Sequence, residues 1–287
     1  WVRGTNTERG VKGMEIGIIT SLHGTSGFFD PVRYFGLKVC QLVSWDPSLA
    51  TERMAEAVLR ESEKTGVRVC AMWAGLPGRM VWDFKEGPVT LGLVPPGPRR
   101  ERVEALKKWA DFARWIGAPA IITHCGFIPE NMTDPEYGPV VDAIREVAEY
   151  CGERGIEFWF ETGQETPVVL LRTIQRVGTN NLGLNLDPAN LILYGKGNPV
   201  DALDVIGPYV RNVHVKDGFY PTNGEELGEQ VAVGRGKVDY PALFAGLKKL
   251  GFRGEWIIER EGSVGEDEKN RDIFETIEFL RRSVDWQ

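Results

Sequence analysis

Four short apolar runs in the second half of the chain finish on residues that bind cations. They are Phe158-Trp-Phe-Glu161, Leu184-Asn-Leu-Asp187, Val213-His214-Val-Lys216-Asp217 and Trp256-Ile-Ile-Glu259. Glu161, Asp187, His214 and Glu259 follow one another at separations of 26, 27 and 45 residues, about one strand-plus-helix unit per step with a longer connection in the last. Carboxylate oxygens with one imidazole nitrogen suit a divalent ion such as Mn2+, Mg2+ or Co2+, with Zn2+ admissible. A single carboxylate ending a strand is ordinarily a helix cap or a loop group, and a single histidine is ordinarily structural. The weight lies in four successive runs ending alike. Glu261 shares a side with Glu259 on an extended strand and can face the same site, but Glu259, directly after the Ile-Ile pair, is taken as the ligand.

Such endings meet only if their elements converge. Apolar, β-branched runs predict eight strands, at Ile16–Thr20, Leu37–Val43, Val67–Trp73, Ala120–His124, Glu157–Glu161, Leu182–Asp187, Val210–Lys216 and Gly254–Glu259. Helical spacing falls between and after them, at Ser48–Thr65, Arg99–Ile116, Tyr137–Arg154, Thr166–Val177, Pro199–Ile206, Tyr240–Leu250 and Asp267–Ser283, with a weak first helix at Asp30–Phe35. In Arg99–Ile116 the stripe of Val103, Leu106, Trp109, Ala110, Ala113 and Ile116 faces a sheet, and Arg102, Glu104 and Lys107 fill the opposite, polar face. Alternation of eight strands with helices, without a Gly-x-Gly-x-x-Gly turn after the first strand, predicts a single α/β domain. The architecture is a closed (β/α)8 TIM barrel, and residues 14–287 form it. Residues 1–13 are polar and aperiodic and are expected to be an extension outside the fold. Two long connections, Leu76–Pro98 and Asp217–Val238, are expected to be lids on the catalytic face or else disordered excursions.

Composition narrows the function. With 34 Lys+Arg against 41 Asp+Glu the net charge is −7, and no basic block exists to follow a phosphate backbone, so nucleic acid is disfavoured as a partner and none is expected. No apolar run reaches the roughly 18 residues of a membrane span. Cys40, Cys70, Cys125 and Cys151 lie in or beside apolar runs without CxxC spacing; buried free thiols and a reducing cytoplasm are expected. Three histidines are too few for an imidazole-based metal centre, so any metal must lean on carboxylates.

The strand-five Glu161, the Asn-Leu-Asp187-Pro-Ala-Asn190 stretch, His214-Val-Lys-Asp217 and the segment from Gly234-Arg-Gly-Lys-Val-Asp239 to Trp256-Ile-Ile-Glu259 resemble the xylose-isomerase-like sugar isomerase/epimerase superfamily. The resemblance covers roughly Met14 to Ser283 and is carried mostly by the second half. It implies a TIM barrel with one divalent metal on Glu161, Asp187, His214 and Glu259. It also implies proton transfer by Glu161 and Glu259 beside a carbonyl, through an enediolate-type intermediate of a small keto- or aldo-polyol. The chain departs from the ketose-epimerase pattern twice: Asn190 stands where a histidine is expected, and Tyr220 where an arginine is. These departures leave room for a dehydratase, lyase or hydrolase of an inosose or 3-keto sugar. The endonuclease IV branch needs more histidines, and a second metal lacks its Lys-x-Asp. A barrel that binds sugar without catalysis is disfavoured because both Glu161 and Glu259 are present, and assembly as a homo-oligomer stays open. Within this frame Trp45, Trp73, Trp82 and Phe127 are candidates to stack on a sugar ring. His124, Asn190, Lys216 and Arg260 are candidates to contact its hydroxyls or developing charge.

Overall fold

The computed structural model describes residues 14–262 and 264–283. The extension expected at 1–13 and the end of the expected domain at 284–287 lie outside the described residues. Strands β1 (Ile16–Ser21), β2 (Val39–Ser44), β3 (Arg68–Ala74), β4 (Ala120–Thr123), β5 (Glu157–Glu161), β6 (Leu182–Leu186) and β7 (Val210–Val215) pair in parallel with their chain neighbours. A short antiparallel ribbon follows, β8 (Asp217–Gly218) on β9 (Gln230–Val231), before β10 (Trp256–Ile258) pairs with both β7 and β1 and closes the eight-stranded barrel. The helices are α1 (Asp30–Tyr34), α2 (Glu52–Thr65), α3 (Gly87–Thr90), α4 (Pro96–Ile116), α5 (Tyr137–Gly152), α6 (Pro167–Val177), α7 (Pro188–Leu193), α8 (Leu203–Ile206), α9 (Tyr240–Lys249) and α10 (Glu266–Ser283). No helix among the described residues is long and apolar enough to cross a membrane.

Strand alternation sorts the side chains. Phe158, Phe160, Leu184, Leu186, Val213, Val215, Trp256 and Ile258 join the large core that includes the helix residues Val147, Leu170, Leu243 and Ile277. Trp159 instead packs with Ala71, Trp73, Ala120 and Ile122 in a separate small cluster. Successive side chains on a strand point to opposite faces, so this second set fills the barrel. Gly183 makes the room: a Cβ there would lie 2.6 Å from the Trp159 ring. The same rule turns Glu161, Asn185, Asp187, Asn212, His214 and Lys216 inward with Trp159, and delivers the ionisable ones to the carboxyl-terminal mouth.

Predicted and observed strands agree within one or two residues at each end. The helices differ more. The turn at Pro47–Leu49 is a separate 3-10 helix, because Thr51 accepts the Met54 N–H at 3.2 Å and starts α2 afresh. Of the helix expected at Pro199–Ile206 only α8 forms. Neither α3, of 4 residues, nor α7, of 6, was anticipated.

The segment after β3, expected as an irregular lid, is ordered from within, and Arg102 orders it. Arg102 is 1% exposed rather than on a polar face. The segment folds back over that side of α4 and surrounds the guanidinium with backbone carbonyls. Its Nη1 donates to the Thr90 and Gly92 carbonyls at 2.7 Å each, Nη2 to Arg79 at 3.0 Å and Nε to Pro77 at 3.1 Å. Asp83 Oδ1 gathers the N–H groups of Lys85, Glu86 and Gly87 at 3.0, 2.6 and 3.1 Å. At Gly92 (φ +65°) a Cβ would lie 1.9 Å from the Cys125 carbonyl carbon, so only glycine lets this segment lie on the chain beyond β4. In the second long connection Asp217 plays the organising part, accepting N–H groups from Gly218, Gly234, Gly236 and Val238 at 2.8 to 3.1 Å. Asp217 is thus a loop anchor. All four cysteines are free and buried.

One buried acid has no such use. Glu165, in the turn from β5 to α6, is 2% exposed and neither of its carboxyl oxygens has a hydrogen-bond partner among the described residues. Burial pushes its pKa up to about 8, against weaker opposing pulls from its own backbone N–H and from Lys196.

Two outcomes follow from these buried groups. Arg102→Met leaves four carbonyls without their donor; at about 1.5–3 kcal/mol per hydrogen bond to a charged group, partly recovered by water, the loss is expected to reach at least about 3 kcal/mol. Chemical denaturation measures it, limited proteolysis should cut within 76–98 faster, and an unchanged profile in both removes the stapling role. For Glu165 the folded pKa is raised, so the stability of burying the neutral acid is present below its ordinary value of 4.5 and is lost as pH rises through about 8. Glu165→Gln should match wild type near pH 4 and exceed it increasingly up to about pH 8. A difference that does not change with pH refutes the buried-acid assignment.

Candidate active site

The four residues singled out by their spacing come together. Glu161, Asp187, His214 and Glu259 each offer one ligand atom, and these atoms all lie within 4.8 Å of one another. His214 Nδ1 is 3.1 Å from Glu161 Oε1, 3.1 Å from Glu259 Oε2 and 3.7 Å from Asp187 Oδ2. Asp187 has two duties. Its Oδ1 caps α7 by accepting the Asn190 N–H at 2.8 Å, which is why the Asp-Pro pair starts a helix directly at the strand end. Its Oδ2 is buried without a hydrogen-bond partner among the described residues, and so is His214 Nδ1. Two orphaned buried atoms of ligand type beside two further carboxylates fit a divalent cation. Thr162 ties the two strand ends together: its Oγ1 donates to the Asp187 carbonyl at 2.9 Å and accepts the Asp187 N–H at 2.8 Å.

The electrostatics of the cluster are those of a cation trap. Burial would raise the carboxyls, yet His214 and His124 hold Glu161 below its ordinary value, and Lys216 and His214 hold Glu259 well below. For Asp187 burial prevails over Lys216 and the pKa rises to about 6. His214 shows the reverse balance: burial disfavours the imidazolium, but Glu161 and Glu259 raise it well above its ordinary value. The field that draws a proton to Nδ1 draws a metal cation to the same place. Lys216 is buried, with Nζ 2.8 Å from Glu261 Oε2, 3.1 Å from Glu259 Oε2 and 3.6 Å from Asp187 Oδ2. These carboxylates keep it charged against the cost of burial.

Above the cluster opens a cavity of about 440 Å³. Glu161, Glu259, Lys216, Asn190 and His124 reach it on one side; Trp45, Trp73 and Trp82 form a wall, with Trp45 and Trp82 48% and 38% exposed. Trp82 packs edge-on to His124, ring centroids 5.0 Å apart, and Trp45 against Trp73 at 4.8 Å. Trp73 Nε1 donates to Glu161 Oε2, while Asn190 Nδ2 and His124 Nε2 approach Glu161 Oε1 at 3.5 and 3.6 Å. Burial lowers His124, partly countered by Glu161.

Two expected contacts do not reach the cavity. Arg260 turns outward to Asp272 Oδ2 at 2.8 Å, because it follows the inward Glu259 and strand alternation sends it to the other side. Phe127 meets the Tyr194 ring edge-on, centroids 5.9 Å apart, instead of lining the site. Glu261, one place further on, does line it. Sequence reasoning missed Thr162 and the buried amides Gln41, Asn185 and Asn212 beneath the cluster. The inward phase of the strands ending at Glu161, Asp187 and His214 was the signal available for the last two.

The profile of the xylose isomerase-like TIM barrel family matches residues 29–283. A xylose isomerase domain protein from Planctomyces limnophilus superposes with a TM-score of 0.88 at 34% identity, over 93% of this chain and 96% of that one. A D-tagatose 3-epimerase-like protein superposes with a TM-score of 0.71 at 19% identity, over 94% and 97% of the two chains. In sequence, the inosose dehydratase of Geobacillus kaustophilus is 26% identical over 191 residues, 56% of this chain and 62% of that enzyme, under two thirds of its length. With the family profile matching most of the chain and a solved relative matching nearly end to end, the chain belongs to the xylose isomerase-like TIM barrel family.

Proposed function

We propose that the protein is a metal-dependent isomerase or epimerase of a small, unphosphorylated keto- or aldo-polyol. The observation that carries this reading is the convergence of three carboxylates and one imidazole within 4.8 Å at the floor of a tryptophan-walled cavity. Glu161, Asp187, His214 and Glu259 would hold one divalent ion, of the Mn2+, Mg2+ or Co2+ type. That ion supplies Lewis acidity toward a substrate carbonyl and so eases loss of the neighbouring C–H proton.

The remaining work falls to side chains. Glu161 and Glu259 are both held ionised, so either can take the proton from the carbon beside the carbonyl, giving an enediolate-type intermediate. The carboxyl that took it returns it to carbon, or passes it by way of a substrate hydroxyl to the other carboxylate, which returns it from the opposite face. Lys216 Nζ presents N–H to the cavity and favours the negative charge that develops on oxygen. The tryptophan wall stacks on the apolar face of the sugar and limits water. Phosphate has no counterpart: among the described residues Lys216 is the one cation of Lys or Arg type lining the cavity, and three carboxylates already surround it. A second reading is dehydration of an inosose or 3-keto sugar. It is favoured by the likeness to inosose dehydratase and by Asn190 in place of the histidine expected of ketose epimerases.

Elemental analysis after incubation with Mn2+ or Mg2+ is expected to find one ion per chain, and Glu161→Gln and Asp187→Ala to lose it. A wild type without metal ends the proposal. In a panel of ketoses, inososes and 3-keto sugars, each with its phosphate ester, only unphosphorylated compounds should turn over, and Glu259→Gln should cut kcat by about 10²–10⁴. Run in D2O, an isomerase retains substrate mass apart from one exchanged hydrogen, whereas loss of water establishes the dehydratase.

A further inference from the structure

The layer of the barrel directly beneath the cluster is polar. Gln41 on β2, Asn185 on β6 and Asn212 on β7 are each 0% exposed, where barrels ordinarily place packed aliphatic side chains. Three buried amides are costly unless their polar atoms are paired; among the described residues all but Asn185 Nδ2 find partners, and the pairing has a direction.

The direction is set at the opposite end of the barrel. Glu255, just before β10, is held by Arg68, whose Nη2 donates to Glu255 Oε1 at 2.6 Å and to Glu15 Oε2 at 2.5 Å. An ionised carboxylate only accepts, so the Asn212 group facing Glu255 Oε2 at 3.4 Å is its NH2. The Asn212 carbonyl then points to Gln41, whose Nε2 donates to Asn212 Oδ1 at 3.2 Å and to Asn185 Oδ1 at 3.1 Å. Both amide hydrogens of Gln41 are thereby used. What Gln41 turns to His214 is its oxygen, with Oε1 2.7 Å from His214 Nε2. That nitrogen must carry the hydrogen. His214 Nδ1, on the other side of the ring, is the atom left to face Glu161, Asp187 and Glu259.

We infer that Glu255, Asn212 and Gln41 form a relay of fixed polarity through the barrel that holds His214 with Nε2 protonated and Nδ1 presented as the ligand atom. Gln41 is a positioning residue: it touches neither the cavity nor a substrate but fixes the ring that does the binding. The inference rests on the proposed metal site only for its consequence, that Gln41 tunes metal affinity; the hydrogen-bond polarity stands on the amides alone. Outer partners of a metal-bound histidine are worth about 10–100-fold in affinity.

The test compares Gln41→Met, which removes the acceptor, with Gln41→Glu, which keeps an acceptor on Nε2. Mn2+ titration calorimetry should show affinity about 10–100-fold weaker for Gln41→Met and within a few-fold of wild type for Gln41→Glu. Thermal melts accompany both, and only variants that unfold cooperatively are compared. Long-range 1H–15N spectra of histidine-labelled wild type, with Mg2+ and after chelation, should show His214 Nε2 protonated in both states, its signals assigned by their loss in His214→Asn. A neutral ring protonated on Nδ1 overturns the relay, as does wild-type affinity in folded Gln41→Met. If wild type binds no Mn2+, the metal reading fails, and the nitrogen spectra alone still decide the relay.

Discussion

Three carboxylates that converge on one buried imidazole nitrogen set the terms for everything around them. At low effective dielectric, like charges a few ångströms apart repel strongly, and a carboxylate with no partner would simply take up a proton. The structure answers with cations from two directions. Lys216 lies against Glu259 and Asp187 from the cavity side, and the His214 imidazole stands between Glu161 and Glu259. The balance is uneven: Glu161 and Glu259 stay below their ordinary values while Asp187 rises to about 6. That residual deficit of positive charge is what a divalent ion would fill. A site of this kind resembles a spring held against its own repulsion, and its geometry must be imposed by the scaffold.

The scaffold imposes it in layers. Strand alternation places Asp187 two residues beyond Asn185 and His214 two beyond Asn212, so each of these candidate ligands stands over one of the amides that bond Gln41. Trp159 and Trp73 fill the other side of the barrel, and the Trp73 indole also donates to Glu161. Apolar filling and hydrogen bonding are therefore not in competition here; one ring supplies both. The long connections close the top by a different chemistry. A buried arginine and two aspartates collect the backbone groups of segments that have little core of their own, and the wall residue Trp82 is carried on the segment Arg102 holds.

Much of this was legible in the sequence, and the reason is periodicity. Each strand is a run of buried residues bounded by glycine or proline chemistry, so the eight strands and the candidate ligand at the end of four of them followed from local pattern. What stayed hidden was long-range. Arg102 occupies a helix position that reads as solvent-facing, and nothing nearby in sequence says that a segment some ten to twenty-five residues earlier will fold over it. Arg260 illustrates the converse error: a cation next to a ligand invites a functional reading, while alternation along the strand sends it away to Asp272. Gln41 lies 173 residues from His214, inside a run that otherwise reads as an ordinary apolar strand. A polar residue at an inward position among buried ones was the signal that could have drawn attention to it.

The choice between the two proposed reactions turns on the groups around Glu161. Exchange of a proton beside a carbonyl needs two proton carriers, and Glu161 and Glu259 supply them. Loss of water needs two as well, one to take that proton and one to protonate the departing hydroxyl as the bond to carbon breaks. Asn190, presented to Glu161 by α7, donates hydrogen bonds but does not titrate. His124 does: Nε2 lies 3.6 Å from Glu161 Oε1, the ring borders the cavity, and its Nδ1 is buried without a hydrogen-bond partner among the described residues. Burial lowers its pKa, so in the metal-free protein it stands mainly neutral at pH 7 and would need a proton from Glu161 or substrate before it could give one up. A third carrier exists in the right place but is not charged in advance. The resting site is thus prepared to take a proton, and where that proton goes next, back to carbon or to a leaving hydroxyl brought to His124, divides the two proposed reactions.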